Sequence, residues 1–253
     1  MSNMVDDVYK GSQERNFLGH PIGLSICFLT EMWERFSYYG MRAILILYLT
    51  KYHLFGVDKA SMIYGAYAGL VYMMPIVGGY LADRYLGSRK AVTYGAILLV
   101  LGHGLMAFHG PAAYMDGENI IRDDFFINVF FLALALIIVG VGFLKANISR
   151  VVGALYGPND PRRDGGFSIF YMGINLGALL AMIVVGYVGE VHGWNYGFSI
   201  AGIGMLFGLL VFLWGQKYLD GRAEPPRPEI LKEKSPIGLN KEYTIYLFGI
   251  GLV

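Results

Sequence analysis

Long apolar runs separated by short polar breaks set the plan of the chain. A helix crossing the ~30 Å hydrocarbon core of a bilayer needs roughly 20 predominantly apolar residues. Six segments qualify, at about 22–50, 60–82, 91–109, 125–156, 166–189 and 196–217. A seventh begins at "YTIYLFGIGLV", and at about 1.5 Å per residue its run to Val253 is too short to cross. The pattern predicts an all-α polytopic membrane protein. Residues 1–217 would form a six-helix bundle, 218–240 a linker, and 241–253 the truncated start of a further helix.

Charge in the breaks orients the bundle. Lys10 and Arg15 precede the first helix; Arg84, Arg89 and Lys90 follow the second; Arg150, Arg162 and Arg163 follow the fourth. Lys217, Arg222, Arg227, Lys232 and Lys234 come after the sixth. The opposite breaks hold Lys51, Lys59 and Arg122 beside Asp116, Glu118, Asp123 and Asp124. Basic residues concentrate on the cytoplasmic side, so the N-terminus and the linker are expected there. The linker, "DGRAEPPRPEILKEKSPIGLNK", is charged and proline-rich and reads as an exposed connection between two membrane bundles. Six helices, a cytoplasmic linker and then more helix is the plan of a two-bundle transporter, of which this chain would be the N-terminal half, lacking the C-terminal bundle.

Composition agrees: 55% of residues are hydrophobic and 15% charged, with a formal net charge of +1. Nothing there supports nucleic-acid binding. The single cysteine, Cys27, excludes a disulfide framework and a cysteine metal site. The first twenty residues lack the apolar core of a removable signal, so the membrane helices themselves would direct the chain to the membrane, expected to be a bacterial inner membrane.

One stretch breaks the pattern. "TEMWERFSYYGMR", residues 30–42, places Glu31, Glu34, Arg35 and Arg42 inside the first helix, where a charge near the bilayer centre costs about 2.5–3.5 kcal/mol. The four fall at i, i+3, i+4 and i+11, on one helical face, with Tyr38 and Tyr39 on or beside it. Counted from the cytoplasmic ends at 1.5 Å per residue, Glu34 and Arg35 lie roughly 20 Å deep and Lys145 of the fourth helix roughly 17 Å. Tyr72 and Asn175 come out near roughly 16 Å, and Tyr171 near roughly 10 Å. An ion pair four residues apart accounts for Glu31 with Arg35, but not for two carboxylates and the cations Arg35, Arg42 and Lys145 in membrane helices. A water-lined site is the expectation. Its chemistry suits a zwitterion and a proton: arginine and lysine can hold a carboxylate, while a glutamate changes protonation with the cation beside it.

Other signals are weaker. "GGYLADRYLGSRK", residues 78–90, joins the second and third helices with glycines for a tight turn, and Asp83 can bind a cation across a helix interface. Gly65/Gly69 and Gly173/Gly177 are spaced for close helix approach, and His103 reads as a hydrogen-bonded packing residue. "NIS" at 147–149 fits a glycosylation sequon but sits at a cytoplasmic helix end. No Walker loop, HExxH or nucleophile elbow is present, so nothing argues for ATP hydrolysis or covalent catalysis, and no enzyme is expected.

"EMWERFSYYG" at 31–40 resembles the ExxERFxYYG motif of the proton-dependent oligopeptide transporters, a family of the major facilitator superfamily. "FSIFYMGINLGALLA", 167–181, resembles that family's signature on its fifth helix, and "GFLKANISRVVGALY" its fourth helix with the lysine. "GGYLADRYLGSRK" is similar to the superfamily's loop 2–3 motif. The resemblance implies a proton-coupled symporter of di- and tripeptides working by alternating access, with protons as the coupling ion and no cofactor or metal. It implies that Glu31, Glu34, Arg35 and Lys145 couple protons, Lys145 pairing with a glutamate of the first helix and helping to hold the peptide carboxylate. Tyr39 and Arg42 would face the peptide, Tyr72, Tyr171 and Asn175 would shape the pocket, and Asp83 and Arg84 would belong to a cytoplasmic latch. Gly65 stands where some relatives carry histidine, Ala146 where many have proline and Ala178 where serine is common. Two alternatives share the sequence: a transporter of nitrate or another small anion on the same fold, and an ion channel lined by the same charges.

Overall fold

The structure, a computed structural model, describes residues 16–253. Lys10 and Arg15, counted in the charge bias, lie outside the described residues. The fold is built from six long helices: α1 (Gly23–Leu47), α2 (Val57–Leu81), α3 (Gly87–Ala107), α4 (Asp124–Ala154), α5 (Arg163–Val191) and α6 (Trp194–Gly215). Two short ones follow, α7 (Pro228–Lys232) and α8 (Lys241–Gly251). Helices α2 to α6 fall within stretches long and apolar enough to cross a membrane. Helix α1 is equally long, but its charges interrupt the apolar run.

The expected helices are all present, displaced by a few residues at their ends. The chain widens into i→i+5 turns at Tyr48–Tyr52 and Ala82–Leu86, extending α1 and α2. Gly87, at φ +72°, then reverses the chain into α3. Two small hairpins were not expected. Strand β1 (Asn16–Phe17) pairs antiparallel with β2 (His20–Pro21), and β3 (Tyr114–Asp116) with β4 (Asn119–Ile121) around Gly117 at φ +62°. Asp123 caps α4 by accepting from the amides of Phe125 (3.0 Å) and Phe126 (3.3 Å).

Packing divides the bundle into two interlocked trios. Helix α4 lies against α2 and α3, α1 lies against α5 and α6, and α3 touches α6. Exchanging α1–α3 with α4–α6 maps these contacts onto one another, as expected of a bundle made from two three-helix repeats, although α5 also touches α6 with no matching contact of comparable extent between α2 and α3. The innermost helix of each exchange, α1 or α4, carries the membrane charges. Close approach needs glycine at two seams. A Cβ on Gly78 would sit 2.2 Å from the Gly142 carbonyl oxygen, and one on Gly177 would sit 2.2 Å from the Met32 carbonyl oxygen. Gly173 likewise faces Phe28, so the α5 pair is a packing seam; Gly65 and Gly69, by contrast, face nothing within 4 Å, because their side of α2 points away from the bundle.

The linker departs from the expected exposed connection. Leu219 and Leu231 are buried, and α7 seats Leu231 among Ala82, Leu86 and Tyr94. Arg89 pairs with Glu224 at 2.9 Å and its amide donates to Ala223, while Lys90 pairs with Glu242 at 2.5 Å. Tyr94 donates to the Tyr246 carbonyl and stacks on its ring, so α8 is docked on α3. Apolar residues buried inside a charged, proline-rich segment are what a composition argument averages away.

Candidate functional site

Helix α1 buries its charges. Glu31, Glu34 and Arg35 are each at most 3% exposed. Arg35 donates from Nε to Glu31 Oε1 at 2.8 Å, and the same nitrogen lies 2.6 Å from Glu34 Oε2. The i, i+3, i+4 spacing makes this geometry possible, since all three side chains leave one face of the helix. The trio is incompletely hydrogen-bonded. Glu31 Oε2, both Glu34 oxygens and Arg35 Nη2 have no hydrogen-bond partner among the described residues. The hydroxyls of Thr30, Tyr38 and Tyr67 are also without one. Two carboxylates facing one guanidinium leave a formal charge of −1 in a dry setting, which needs a proton or a nearby cation.

Cations stand close by. The Arg35 guanidinium lies 5.6 Å from the Tyr38 ring, which stacks on Tyr67 of α2 at 6.4 Å and meets Tyr39 edge-on at 5.2 Å. Two turns along α1, Arg42 donates to the Tyr64 hydroxyl, its guanidinium 5.4 Å from that ring. Helix α1 therefore reaches α2 through long polar side chains. Lys145 of α4 is half-buried and holds its ammonium 4.5 Å from the centre of the Tyr72 ring. The ion pair expected between Lys145 and a glutamate of α1 is not formed: Arg35 holds both carboxylates, and the lysine rests on an aromatic face.

The structure thus gathers Glu31, Glu34, Arg35, Tyr39, Arg42, Tyr72 and Lys145 along facing surfaces of α1, α2 and α4. Tyr171 and Asn175 are on α5, exposed, and Asn175 donates only to the Tyr171 carbonyl at 3.1 Å. Among the described residues, neither forms a hydrogen bond with the charged trio. Tyr64 and Tyr67 had no place in the sequence reading, while Tyr38 was read only as lying on or beside the charged stripe. Tyr64 and Tyr67, three apart on α2, look in sequence like any aromatic pair of a membrane helix.

At the other end of α2, the 78–90 segment forms a second polar cluster. Asp83 pairs with Arg150 of α4, and both are about half exposed. Arg84 turns away: it donates to Tyr80 at 3.3 Å and lies 5.8 Å from the Tyr85 ring. Asn147, fully buried, donates to the carbonyls of Gly78 (3.3 Å) and Phe143 (2.8 Å) and accepts from Ser88 (3.2 Å), tying α2, α3 and α4 together. Its burial also removes the sequon from consideration. Arg150 was visible in sequence only as one more positive charge beyond the fourth helix. His103 is buried, as expected of a packing residue, but the expected hydrogen bond is not formed: neither ring nitrogen has a partner among the described residues.

Comparison with known proteins matches these features to one family. Residues 89–236 match the family model described as "POT family". The chain is 46% identical over 238 residues to an uncharacterized transporter, YclF, of Bacillus subtilis, covering 92% of this chain and 45% of that protein. It is 43% identical over 232 residues to a di-/tripeptide transporter of Lactococcus lactis subsp. cremoris, covering 87% and 43%. A crystal structure of a POT peptide transporter in complex with sulfate superposes with a TM-score of 0.79 at 40% identity, covering 97% of this chain and 47% of that one. The chain spans less than half the length of the relatives it matches. With motifs, helix packing and family match in agreement, the chain belongs to the POT family, the proton-dependent oligopeptide transporters, and forms an N-terminal six-helix membrane bundle of the major facilitator type.

Proposed function

We propose that the whole protein is a proton-coupled symporter of di- and tripeptides that works by alternating access, and that this bundle supplies its proton-coupling group. The observation that carries the reading is the buried Glu31–Glu34–Arg35 trio, which holds two carboxylates against one guanidinium with four of its polar atoms lacking a hydrogen bond among the described residues. Arg35 keeps its proton; the glutamates are the groups that can gain one. Protonating a glutamate neutralises it and loosens its hold on Arg35. A peptide carboxylate arriving at Arg42 and Lys145 draws on the same positive field. By linkage, whatever favours protonation favours the peptide, so the peptide binds better at lower pH. Protons are the coupling ion, and the scheme calls for no cofactor or metal and no covalent chemistry.

Tyr39, Arg42, Tyr72 and Lys145 are proposed to face the peptide. Tyr171 and Asn175, exposed on α5, join them where a second bundle closes the cavity. Asp83 forms the cytoplasmic latch with Arg150, and Arg84 is a flanking cation rather than the pair's partner. The protein is placed in a bacterial plasma membrane with its N-terminus cytoplasmic, a reading supported by the positive charge of the breaks that follow α2, α4 and α6. Peptide is preferred over a small anion because relatives at 43–46% identity are named peptide transporters.

The test compares wild type with Glu34→Gln in proteoliposomes. Glu34→Gln is expected to abolish uptake driven by a pH gradient while retaining peptide counterflow, which moves no net proton. If the variant still concentrates peptide on the proton gradient, Glu34 is not the coupling acid and Glu31 takes its place. Current through the wild type that peptide neither evokes nor competes with would establish a channel instead.

A further inference from the structure

A cleft of about 380 Å³ opens between the starts of α2 and α4, at the end of the bundle opposite residues 78–90. Its polar wall is Lys59, Arg122 and Asp124; its apolar wall is Phe55, Ile127 and Phe131, roofed by the β3–β4 hairpin through Ile120 and Ile121. Two cations share one ring: the Arg122 guanidinium lies 4.4 Å from the Phe55 centroid and Lys59 Nζ 5.0 Å from it. Arg122 donates from Nε to the His53 carbonyl at 2.6 Å and from Nη2 to the Leu54 carbonyl at 2.9 Å, which fixes it in place and leaves donors over.

Neither cation has a carboxylate partner among the described residues. Asp123 spends its carboxylate capping α4, while Asp124, also unpaired among the described residues, lines the cleft. The cleft thus offers two positive groups and one negative group around an opening. Residues 124, 127 and 131 recur on one face of α4, so the apolar wall descends roughly 10 Å from the charged rim along the membrane surface of the bundle. Phe131, at the lower end of this wall, is 39% exposed and presents its ring to the surroundings of the bundle. A charged rim with an excess positive charge above an apolar channel is complementary to a phospholipid. The lone carboxylate selects among headgroups.

We propose that this cleft binds a phospholipid whose headgroup carries a primary ammonium, with its phosphate between Lys59 and Arg122, its ammonium on Asp124 and an acyl chain along Ile127 and Phe131. On the positive-inside orientation the lipid belongs to the outer leaflet. The site is separate from the charged trio of α1 and does not depend on which solute is carried.

The experiment is native mass spectrometry of the whole protein, released from vesicles containing equal amounts of phosphatidylethanolamine, phosphatidylcholine and phosphatidylglycerol. Wild type is expected to retain phosphatidylethanolamine in preference to phosphatidylcholine, whose ammonium is fully methylated and cannot donate. Lys59→Glu should lower total phospholipid retention about tenfold, in line with the attraction of a basic residue for a lipid surface. Asp124→Asn should erase the preference for ethanolamine over choline while leaving total retention largely intact. Lys51→Glu, the same charge change on an exposed residue outside the cleft, should leave both unchanged. Equal retention of the two zwitterionic lipids by wild type would overturn the proposal, as would equal losses in Lys59→Glu and Lys51→Glu. Displacement of the lipid by glycerophosphoethanolamine at matching concentration would show a soluble phosphoester site in place of a lipid site.

Discussion

The charged trio of α1 and the polar cluster around residues 78–90 occupy neighbouring helices and use similar side chains, yet they are finished differently. In the first, Glu31, Glu34 and Arg35 are sealed from solvent and keep four polar atoms without a hydrogen bond among the described residues. In the second, the Asn147 amide is answered by Gly78, Phe143 and Ser88, and the Asp83–Arg150 pair sits half exposed. A buried group with an unanswered atom is held at a cost, and a proton or a new partner relieves it. A satisfied network gains nothing from rearrangement and so fixes the shape around it. On the proposed function, the first region is the one that changes its charge state, while the Asn147 network of the second holds three helices in register.

The largest effect should come from unbalancing the first region. Arg35→Gln leaves two buried carboxylates without their counter-charge and is expected to cost about 3–5 kcal/mol of stability. Adding Glu31→Gln and Glu34→Gln should recover part of that loss. Thermal unfolding in detergent measures both, and a melting temperature for Arg35→Gln near that of wild type would erase the contrast. Gly78→Ala probes the second region, because the new methyl carbon lands 2.2 Å from the Gly142 carbonyl oxygen. Overpacking there should cost about 1–3 kcal/mol. A neutral result would show that the α2–α4 seam yields rather than fixes the register.

A pH series sharpens the comparison at the far end of the bundle. His53, beyond α1 in an aromatic box with Tyr48, Tyr52 and Phe130, has its pKa lowered to about 4 by burial, then by Arg122 and His109. The folded state therefore prefers the neutral ring. This contribution to stability is complete above the ordinary histidine pKa of about 6.5 and is lost as pH falls from there toward 4. The melting temperature of wild type should fall through that window, and His53→Gln should flatten the fall. The smallest change in stability belongs to Asp83→Asn. Its half-exposed pair contributes at most about 1 kcal/mol, so unfolding should shift little. Transport is expected to slow while equilibrium peptide binding persists; a large loss of affinity with no slowing beyond it would assign Asp83 to the site.

Helix number, helix limits and the charged stripe of α1 were legible because each rests on a run of residues or a fixed spacing. The trio's contacts follow from i, i+3 and i+4 on one helix, so local geometry suffices for them. What pairs across helices was not legible. Lys145 sits on Tyr72 and Asp83 on Arg150 because of how α4 rotates against α2, and that rotation depends on the Gly78–Gly142 contact, which no single segment encodes. The linker failed for another reason: two leucines among many charged and proline residues outweigh the average composition once each finds a place, Leu231 beside Ala82 and Leu86 and Leu219 against Gly23 in the main core.

The turn at Gly87 carries a consequence for how the chain is made. Its backbone is seated against Glu224 and Pro225, and the residues after it are held by Glu224 and Glu242, which lie 135 positions beyond Arg89 and 152 beyond Lys90. At ordinary synthesis rates of about 5–20 residues per second, the partner of Arg89 leaves the ribosome roughly 7–27 s after Arg89 itself. For most of that interval α2 and α3 are already synthesised, joined by a turn at positive φ whose clasp does not yet exist. This seam of the bundle is closed last, by chain that reads on paper as mere connection.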